Sequence, residues 1–342
     1  MISTQVRLAR RPHGEPDDAT FSFVEEQLTD PADGQLLLRV VYLSLDPYMR
    51  GRMSAAESYA EPVEVGDVLV GGTVCEVVES RHPSYDAGDF VLSYSGWQSY
   101  ALSDGRGLRK LDPTSAPIST ALGVLGMPGF TAYAGLLEIG RPQPGETVVV
   151  AAATGPVGSA VGQIARIKGA RAVGIAGGPA KCAALIDEFG FDAAVDHRSP
   201  DFAASLAAAV PDGIDVYFEN VGGHVAREVF RLLNLYARVP VCGLVADYNA
   251  TDAPQGVDRL PGFMRRVLSK SLTVRGFIQS EFTKVHGRDF VRDMSAWVAD
   301  GSVRYREDVV VGLEQAPEAF RGMLAGRNFG KVLVQVSDDP TR

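Results

Sequence analysis

A strand–turn–helix segment, VVVAAATGPVGSAVGQIARIKG over residues 148–169, carries small residues at the spacing of a dinucleotide-binding turn. The usual G-x-G-x-x-G pattern is met here by Ala153, Gly155 and Gly158, with Gly162 one helical turn further on. The glycines of the pattern permit a tight turn, close approach to a pyrophosphate, and close packing of helix on sheet. Alanine adds only a methyl group at the first place, so we predict that the turn still binds a dinucleotide.

The residues after the second predicted strand indicate which dinucleotide is bound. NAD-binding sequences usually carry Asp or Glu at the end of this strand, where it binds the ribose 2′-hydroxyl. Here the strand RAVGIA is followed by Gly177, Gly178 and Lys181, with no acidic residue before Asp187. The glycines leave room for a 2′-phosphate, and Lys181 at the positive end of the next helix would neutralise it. We therefore predict NADP(H); the alternative is that Lys181 is an ordinary surface lysine.

Composition and charge argue against several classes of function. The chain has 342 residues, a length that predicts about two domains. Its net charge of −9 argues against a nucleic-acid or anionic-membrane partner, because an acidic surface repels phosphate. No apolar run is long enough to span a bilayer, and the N-terminus lacks the apolar core of a signal peptide, so we expect a cytoplasmic protein. The three cysteines and five histidines show no spacing typical of a metal site.

The order of predicted elements indicates an α/β protein with two kinds of sheet. Residues 1–125 are rich in short apolar runs broken by Gly, Pro and Asp, which predicts a small, irregular β-barrel. Residues 126–299 alternate strands with helices, the pattern of a parallel, doubly wound sheet. The last stretch, from residue 308 to residue 336, is predicted as a strand, a helix and a strand in a hairpin-like piece. We expect it to rejoin the N-terminal β domain.

The chain resembles the zinc-free branch of the medium-chain dehydrogenase/reductase superfamily, especially its prostaglandin reductase and alkenal double-bond reductase group. The resemblance covers nearly the whole chain. It is carried by LSLDPYMRGRM (43–53), GMPGFTAYAGLLEIG (126–140), AAATGPVGSAVGQIARIKG (151–169), GIAGGPAKC (174–182), YFENVGG (217–223), CGLVADYN (242–249) and GRNFGKVLVQV (326–336).

This resemblance implies a GroES-like catalytic β domain, residues 1–125 completed by 300–342, and a Rossmann NADP-binding domain, residues 126–299. Zinc-dependent relatives carry a Cys and a G-H-E segment where this sequence has SLDPYMR and VGDVLVGGTVCE. The resemblance therefore also implies chemistry without a metal. Members of this branch are commonly dimers, which would pair here through the edge strand SLTVRGF. Residues 246–270 are expected to form part of the pocket wall.

The resemblance also assigns cofactor contacts residue by residue. His197 takes the place of a tyrosine of the family, so it would stack on adenine or, if protonated, contact the phosphate; the alternative is an exposed loop histidine. The thiol of Cys242 is expected to serve packing, because no basic group adjoins it. The matching positions are Met127, Thr131, Ala153, Gly155, Pro156, Val157, Gly158, Gly178, Lys181, His197, Asn220, Cys242, Gly243, Phe277, Ile278 and Asn328.

The predicted reaction is hydride transfer from NADPH to the β-carbon of an enone or alkenal. The developing enolate oxygen needs a hydrogen-bond donor, and Tyr248, just past a strand end, matches the tyrosine of the family proposed for that role. Tyr48 is a second candidate catalytic and substrate residue. Arg50 would attract an acidic substrate or bind a structural carboxylate. Two alternatives stay open: an NADPH:quinone reductase of the same fold, and a non-catalytic NADP-binding sensor.

Overall fold

The computed structural model describes residues 1–56, 58–251 and 257–342. Its contacts divide the chain into two compact units. The first unit joins both ends of the chain, Met1–Gly123 and Glu307–Arg342, and the second takes the middle, Val124–Arg306. Of the expected pocket-wall segment 246–270, residues 252–256 lie outside the described residues.

The N-terminal part of the first unit is mostly strand. Its elements are β1 (Ile2–Leu8), β2 (Phe21–Gln27), β3 (Leu36–Ser44), α1 (Tyr48–Arg52), β4 (Thr73–Ser80), β5 (Phe90–Ser93), β6 (Tyr100–Ser103) and β7 (Arg109–Leu111).

The second unit alternates helix and strand, as predicted. Its elements are α2 (Met127–Ala134), which continues as a π-helical turn over Gly135–Gly140, then β8 (Thr147–Ala151), α3 (Pro156–Ile167), β9 (Arg171–Ala176), α4 (Pro179–Asp187), β10 (Ala193–Asp196), α5 (Phe202–Ala209), β11 (Ile214–Phe218), α6 (Gly223–Arg231), β12 (Leu233–Val241), α7 (Leu260–Lys270), β13 (Thr273–Gly276) and α8 (Thr283–Ala299).

The C-terminal segment returns to the first unit, as the sequence predicts. It forms β14 (Glu307–Val311), α9 (Ala316–Leu324) and β15 (Lys331–Gln335). In the seven-stranded sheet, β14-β15-β3-β4-β5-β7 lie in that order and β6 also pairs with β3; β1 and β2 form a separate two-stranded sheet. β15 is antiparallel to β3, with Val334 opposite Leu43. The predicted hairpin-like pairing is wrong, however: β14 and β15 are parallel, because α9 carries the chain back between them.

The core of the first unit is centred on Trp97, whose side chain is fully buried. Its ring stacks on Phe21 with centroids 6.0 Å apart and meets Phe320 edge-on at 5.6 Å. Phe21 begins β2 and Phe320 lies in α9, so one aromatic cluster packs the two ends of the chain together.

A buried ion pair also joins the two ends of the chain. Lys331, 2% exposed, donates from Nζ to the Asp46 carboxylate at 2.8 Å and to the Leu45 carbonyl at 2.6 Å. The Ser44 hydroxyl donates to the other carboxylate oxygen of Asp46. Burial lowers the pKa of Lys331, while Asp46 opposes that shift. Both carboxylate oxygens of Asp46 accept a hydrogen bond and Lys331 donates two, contacts of the kind that offset the desolvation of a buried ion pair.

The sheet of the second unit is entirely parallel, in the order β10-β9-β8-β11-β12-β13. The chain runs outward from β8 to β10, then returns to the other side of β8 and runs outward again from β11 to β13. β8 and β11 therefore flank the topological switch point, and ligands of doubly wound sheets bind outside the carboxyl ends of such strands. In the part of the chain that the structure describes, no helix is long and apolar enough to cross a membrane.

Lys331→Met should lower the free energy of unfolding of the first unit by about 3–5 kcal/mol, because it leaves the Asp46 carboxylate buried without its cation. The double variant Lys331→Met with Asp46→Asn should recover part of this loss. In a Trp297→Phe background, the fluorescence of Trp97 during urea unfolding reports the first unit alone. Equal losses in the single and double variants would contradict a stabilising role for the pair.

Candidate functional site

The turn between β8 and α3 has the backbone form that the fingerprint predicts, with one unexpected feature. The Ala153 N–H donates to the Ile175 carbonyl at 3.0 Å, which ties the turn to β9. Gly155 caps α3, and Pro156 occupies its first position, where no N–H is needed. Ala152, just before the fingerprint, adopts a left-handed conformation with φ of +52°. A non-glycine residue held in this region stores about 1 kcal/mol of strain, a common feature of functional turns.

The glycines of this turn have different roles. A side chain on Gly158 would overlap the Ala152 carbonyl and come within 2.7 Å of the Ala153 Cα, so Gly158 is required for packing of helix on turn. A Cβ on Gly155 would meet only the Ala152 oxygen, at 3.3 Å. Packing therefore demands little of Gly155, and its place at the N-terminus of α3 suits close approach of an anionic group.

The structure shows how alanine is tolerated at the first fingerprint position. A Cβ on Gly174, in the neighbouring strand β9, would lie 2.9 Å from the Ala153 Cβ and 2.7 Å from Leu185. The methyl group that the turn gained is thus accommodated by a glycine opposite it. Similarly, a side chain on Gly162 would overlap the ring of Phe191, so that glycine lets the ring pack against α3.

Basic side chains surround the end of β9. A Cβ on Gly177 would meet Arg198 Nε at 2.8 Å and His197 Nε2 at 3.0 Å, so both side chains lie over this glycine. The His197 ring is 5.5 Å from that of His224, which lies in the first turn of α6. Lys181 lies in the first turn of α4. Sequence reasoning missed Arg198 and His224, although Arg198 directly follows a predicted contact residue.

This arrangement fits the 2′-phosphate end of a dinucleotide. The Nδ1 atom of His197 is buried and has no hydrogen-bond partner among the described residues. Burial lowers the pKa of His197, and the neighbouring His224 and Arg198 lower it further. The Gly178 N–H donates to Asp196 at 2.8 Å, which fixes the loop that begins α4 and contributes to the lowered pKa of Asp196. An imidazole with an unused hydrogen-bonding nitrogen, beside basic side chains and over a glycine that leaves space, is suited to binding an anion.

Three predicted residues come together at the carboxyl ends of β11 and β12. The Asn220 side chain donates to the Ala151 carbonyl at 2.8 Å and so ties β11 to the end of β8. A Cβ on Gly243 would lie 3.2 Å from the Tyr248 hydroxyl and 3.6 Å from the Asn220 carbonyl. Tyr248 follows a single 3-10 turn whose first N–H, from Val245, donates to the Asn220 carbonyl at 3.2 Å. The phenol is therefore held beside the carboxyl ends of β11 and β12, on one side of the switch point.

Glu219, which sequence reasoning also missed, holds the backbone that follows β11. It is 3% exposed and accepts hydrogen bonds from the Val221 and Gly222 N–H groups at 2.6 and 2.9 Å. Burial raises the pKa of Glu219. Burial, with the nearby Glu219, also raises the pKa of Cys242 to about 12. The Cys242 thiol is thus protonated at neutral pH, which agrees with packing and not with nucleophilic chemistry.

The positions predicted to contact the nicotinamide end lie in α2 and after β13. The Thr131 hydroxyl donates to the Met127 carbonyl at 2.7 Å within α2. The ring of Phe277 packs where a side chain on Gly135 would stand. The Ile278 N–H already donates to the Glu281 carboxylate at 2.7 Å. A backbone contact from Ile278 to a cofactor amide would have to use its carbonyl or displace Glu281.

The remaining predicted residues belong to the first unit. Burial, and next the Asp46 carboxylate, raise the pKa of Tyr48, so its phenol is a neutral donor at physiological pH. Tyr59 and Tyr94 are also electrostatic neighbours of Tyr48, and their exposed rings, at 65% and 66%, were missed by sequence reasoning. The Asn328 side chain donates to the Gly330 carbonyl at 2.9 Å.

Arg50 has a different environment from the one a substrate contact requires. It is 5% exposed, and its guanidinium donates to the Gly14 carbonyl at 2.7 Å. Burial lowers its pKa. Burial and the hydrogen bond to this backbone carbonyl support a structural role for Arg50.

Comparison with known proteins extends over nearly the whole chain. Residues 4–111 match a family model described as the N-terminal domain of oxidoreductase, and residues 156–298 match one described as zinc-binding dehydrogenase. Despite that second description, no group of three His, Cys, Asp or Glu side chains able to hold a metal occurs within residues 1–56, 58–251 and 257–342.

Individual relatives are similar over their full length. The chain is 55% identical over 332 residues to the NADPH-dependent curcumin reductase of Escherichia coli, covering 97% of this chain and 96% of the relative. It is 40% identical over 329 residues to prostaglandin reductase 1 of Oryctolagus cuniculus, covering 95% and 90%. The crystal structure of CurA from Vibrio vulnificus in complex with NADPH is 52% identical, with a TM-score of 0.95 over 98% of this chain and 100% of that one. The chain belongs to the medium-chain dehydrogenase/reductase superfamily, in its prostaglandin reductase and alkenal double-bond reductase group.

Proposed function

We propose that this protein reduces the carbon–carbon double bond of α,β-unsaturated aldehydes and ketones with NADPH, without a metal. The observation that carries the proposal is the position of the Tyr248 hydroxyl beside Gly243 and Asn220, at the carboxyl ends of β12 and β11. A phenol held there is a hydrogen-bond donor at the edge where this fold binds its ligands. The relatives named as reductases of curcumin, prostaglandins and 2-alkenals support the same reaction class.

The cofactor is NADP(H). Relatives are named as NADPH-dependent, and the 52% identical structure was solved with NADPH. We propose that Gly155 and the N-terminus of α3 bind the pyrophosphate, and that Lys181, His197 and Arg198 bind the 2′-phosphate. Bound NADPH would supply a hydride from C4 of its nicotinamide ring.

The contribution of the protein is to position the reactants and stabilise charge. As the β-carbon gains a hydride, negative charge develops on the carbonyl oxygen of the substrate, and the Tyr248 hydroxyl would donate to that oxygen. The bond strengthens as charge develops, so it serves the transition state more than the bound substrate. Tyr48, a neutral phenol of the first unit, is proposed as a second contact to the substrate.

We also propose a homodimer. β13 is an edge strand of its sheet, and all four of its residues are exposed. An open edge of this kind can pair with the same strand of a second copy, which extends one sheet across a twofold axis.

Lys181→Ala should raise the dissociation constant of NADPH about tenfold, a loss of about 1.4 kcal/mol, and leave that of NADH unchanged. The reason is that only NADPH carries the phosphate that Lys181 is proposed to bind. Fluorescence titration of both cofactors would measure the two constants. Lys284→Ala, which removes an exposed lysine of α8, is the charge-matched control. Equal weakening of both cofactors by Lys181→Ala would contradict a phosphate contact.

Tyr248→Phe should lower kcat and kcat/KM for an enone together, about tenfold to a hundredfold, because a donor to the transition state is lost while the ring remains. NADPH affinity should stay unchanged. Steady-state NADPH oxidation would be measured with an alkenal, an aromatic enone and a naphthoquinone. The matched control is Tyr236→Phe, which removes the hydroxyl of an exposed tyrosine within β12.

The same measurements separate the reaction classes. A quinone accepts charge on two oxygens and is intrinsically easier to reduce, so its turnover should suffer less than that of an enone. Naphthoquinone turnover well above that of every enone would favour a quinone reductase, and no turnover of any acceptor would favour a non-catalytic sensor. If Tyr248→Phe keeps enone turnover within about twofold of the wild type, Tyr248 only lines the pocket and does not donate to the transition state.

Light scattering should give a mass twice the 36.5 kDa of one chain, because pairing of two β13 strands satisfies their open edges. Val274→Lys places like charges on paired strands near the twofold axis and should shift the protein to a monomer. A wild-type monomer at all accessible concentrations would contradict the proposed dimer.

A further inference from the structure

The basic groups around Gly177 include two imidazoles, and imidazoles can change charge when a ligand binds. His197 and Arg198 lie over the glycine, and Lys181 approaches from the first turn of α4. His224 reaches the same place from α6: its ring centroid is 5.5 Å from that of His197, and its Nε2 lies 3.3 Å from the His197 carbonyl. Lysine and arginine are cationic at every physiological pH, whereas histidine changes charge near neutrality.

Among the described residues, acidic and aromatic groups also neighbour the two imidazoles. The Asp196 carboxylate raises the pKa of His197, but it already accepts from the Gly178 and Arg198 N–H groups at 2.8 and 2.9 Å. The ring of Phe202, in α5, meets His224 edge-on at 6.0 Å. The Asp247 carboxylate lies 3.4 Å from the place of a Cβ on Gly222, the N-cap of α6.

Without an anion, this environment opposes the charged form of His197. Burial, His224, Arg198 and Lys181 all lower its pKa, and its buried Nδ1 has no hydrogen-bond partner within the described parts of the chain. A phosphate dianion among these groups would reverse the balance, because it attracts the imidazolium and accepts a hydrogen bond from it. The free protein and the phosphate-bound protein would therefore hold different numbers of protons.

We propose that His197 and His224 form a proton-coupled clamp for the 2′-phosphate, so that binding of NADPH, but not of NADH, is accompanied by proton uptake on this imidazole pair. The proposal rests on the proposed binding of NADP(H) by these residues, and it adds His224 to the residues that determine cofactor specificity. Arg198 and Lys181 supply constant charge, whereas the histidines make the preference for NADPH depend on pH.

The direction of the pH effect follows from linkage. A group whose pKa rises on binding takes up a proton, so the affinity it adds is fully present below its free-state pKa and is lost as the pH rises through its bound-state pKa. The second ionisation of a phosphate monoester lies near about pH 6 and acts in the opposite sense. The coupling is therefore best observed between about pH 6.5 and 8.5, where the phosphate is already a dianion.

Calorimetry of the full chain tests the proposal. Titrations with NADPH and NADH at pH 7.5, in buffers of different ionisation enthalpy, report protons taken up per ligand. We expect roughly 0.5–1 proton for NADPH and none for NADH. The ratio of the NADH to the NADPH dissociation constant should fall about tenfold from pH 6.5 to 8.5.

Substitutions separate proton uptake from simple charge. His224→Gln, at an exposed position, and His197→Gln should each reduce the uptake and flatten the pH dependence. Arg198→Gln is the comparison variant: it should weaken NADPH at every pH and, because Arg198 lowers the pKa of free His197, move the pH range of uptake upward without abolishing the uptake. Equal proton uptake for NADPH and NADH, or full uptake in the variant lacking both histidines, would overturn the clamp.

The same titrations distinguish failure of the clamp from failure of the cofactor assignment. If NADPH binds more tightly than NADH with no difference in proton uptake, the clamp is wrong and the cofactor assignment stands. If NADPH binds no more tightly than NADH at any pH, both are wrong. Thermal melting of each variant without ligand shows whether a loss of binding reflects a loss of folding.

Discussion

The close approach of α3 to the end of β8 is the constraint on which the second unit depends. Any side chain on Gly158 would collide with the Ala152 carbonyl, so the helix can begin where it does only with bare backbone at that place. This start directs the positive end of α3 at the switch point between β8 and β11. The strain at Ala152 and the accommodation of Ala153 opposite Gly174 are consequences of the same tight turn.

The charge of the site contrasts with that of the whole molecule. A chain with a net charge of −9 places His197 and Arg198 over Gly177, with His224 and Lys181 as further neighbours of His197, while the Asp196 carboxylate accepts from backbone N–H groups. Local arrangement, and not overall composition, therefore determines which anion can bind, because the interactions of exposed charges are screened beyond about 8–10 Å.

In the first unit, the main constraint is that the N-terminal and C-terminal parts of the chain must be held together. The Lys331–Asp46 pair and the packing of Phe320 on Trp97 join the C-terminal segment to the N-terminal sheet. Asp46 lies two residues before Tyr48, and its carboxylate adds to burial in raising the pKa of this phenol. The buried Asp46 carboxylate thus both pairs with Lys331 and acts on the pKa of its neighbour Tyr48.

The sequence by itself determined the kinds of element, their order and the character of the main turn, because hydrophobic periodicity and glycine spacing are local properties. It also indicated that the C-terminal strand rejoins the first sheet. Tertiary structure decided what depends on approach across the chain: the parallel direction of β14 and β15, the burial of Arg50 against the Gly14 carbonyl, and the meeting of His224 with His197. His224 lies in α6, whereas its partner His197 follows β10, 27 residues earlier. No local sequence pattern predicts the contact between the two rings, because it is sheet order and helix packing that bring them together.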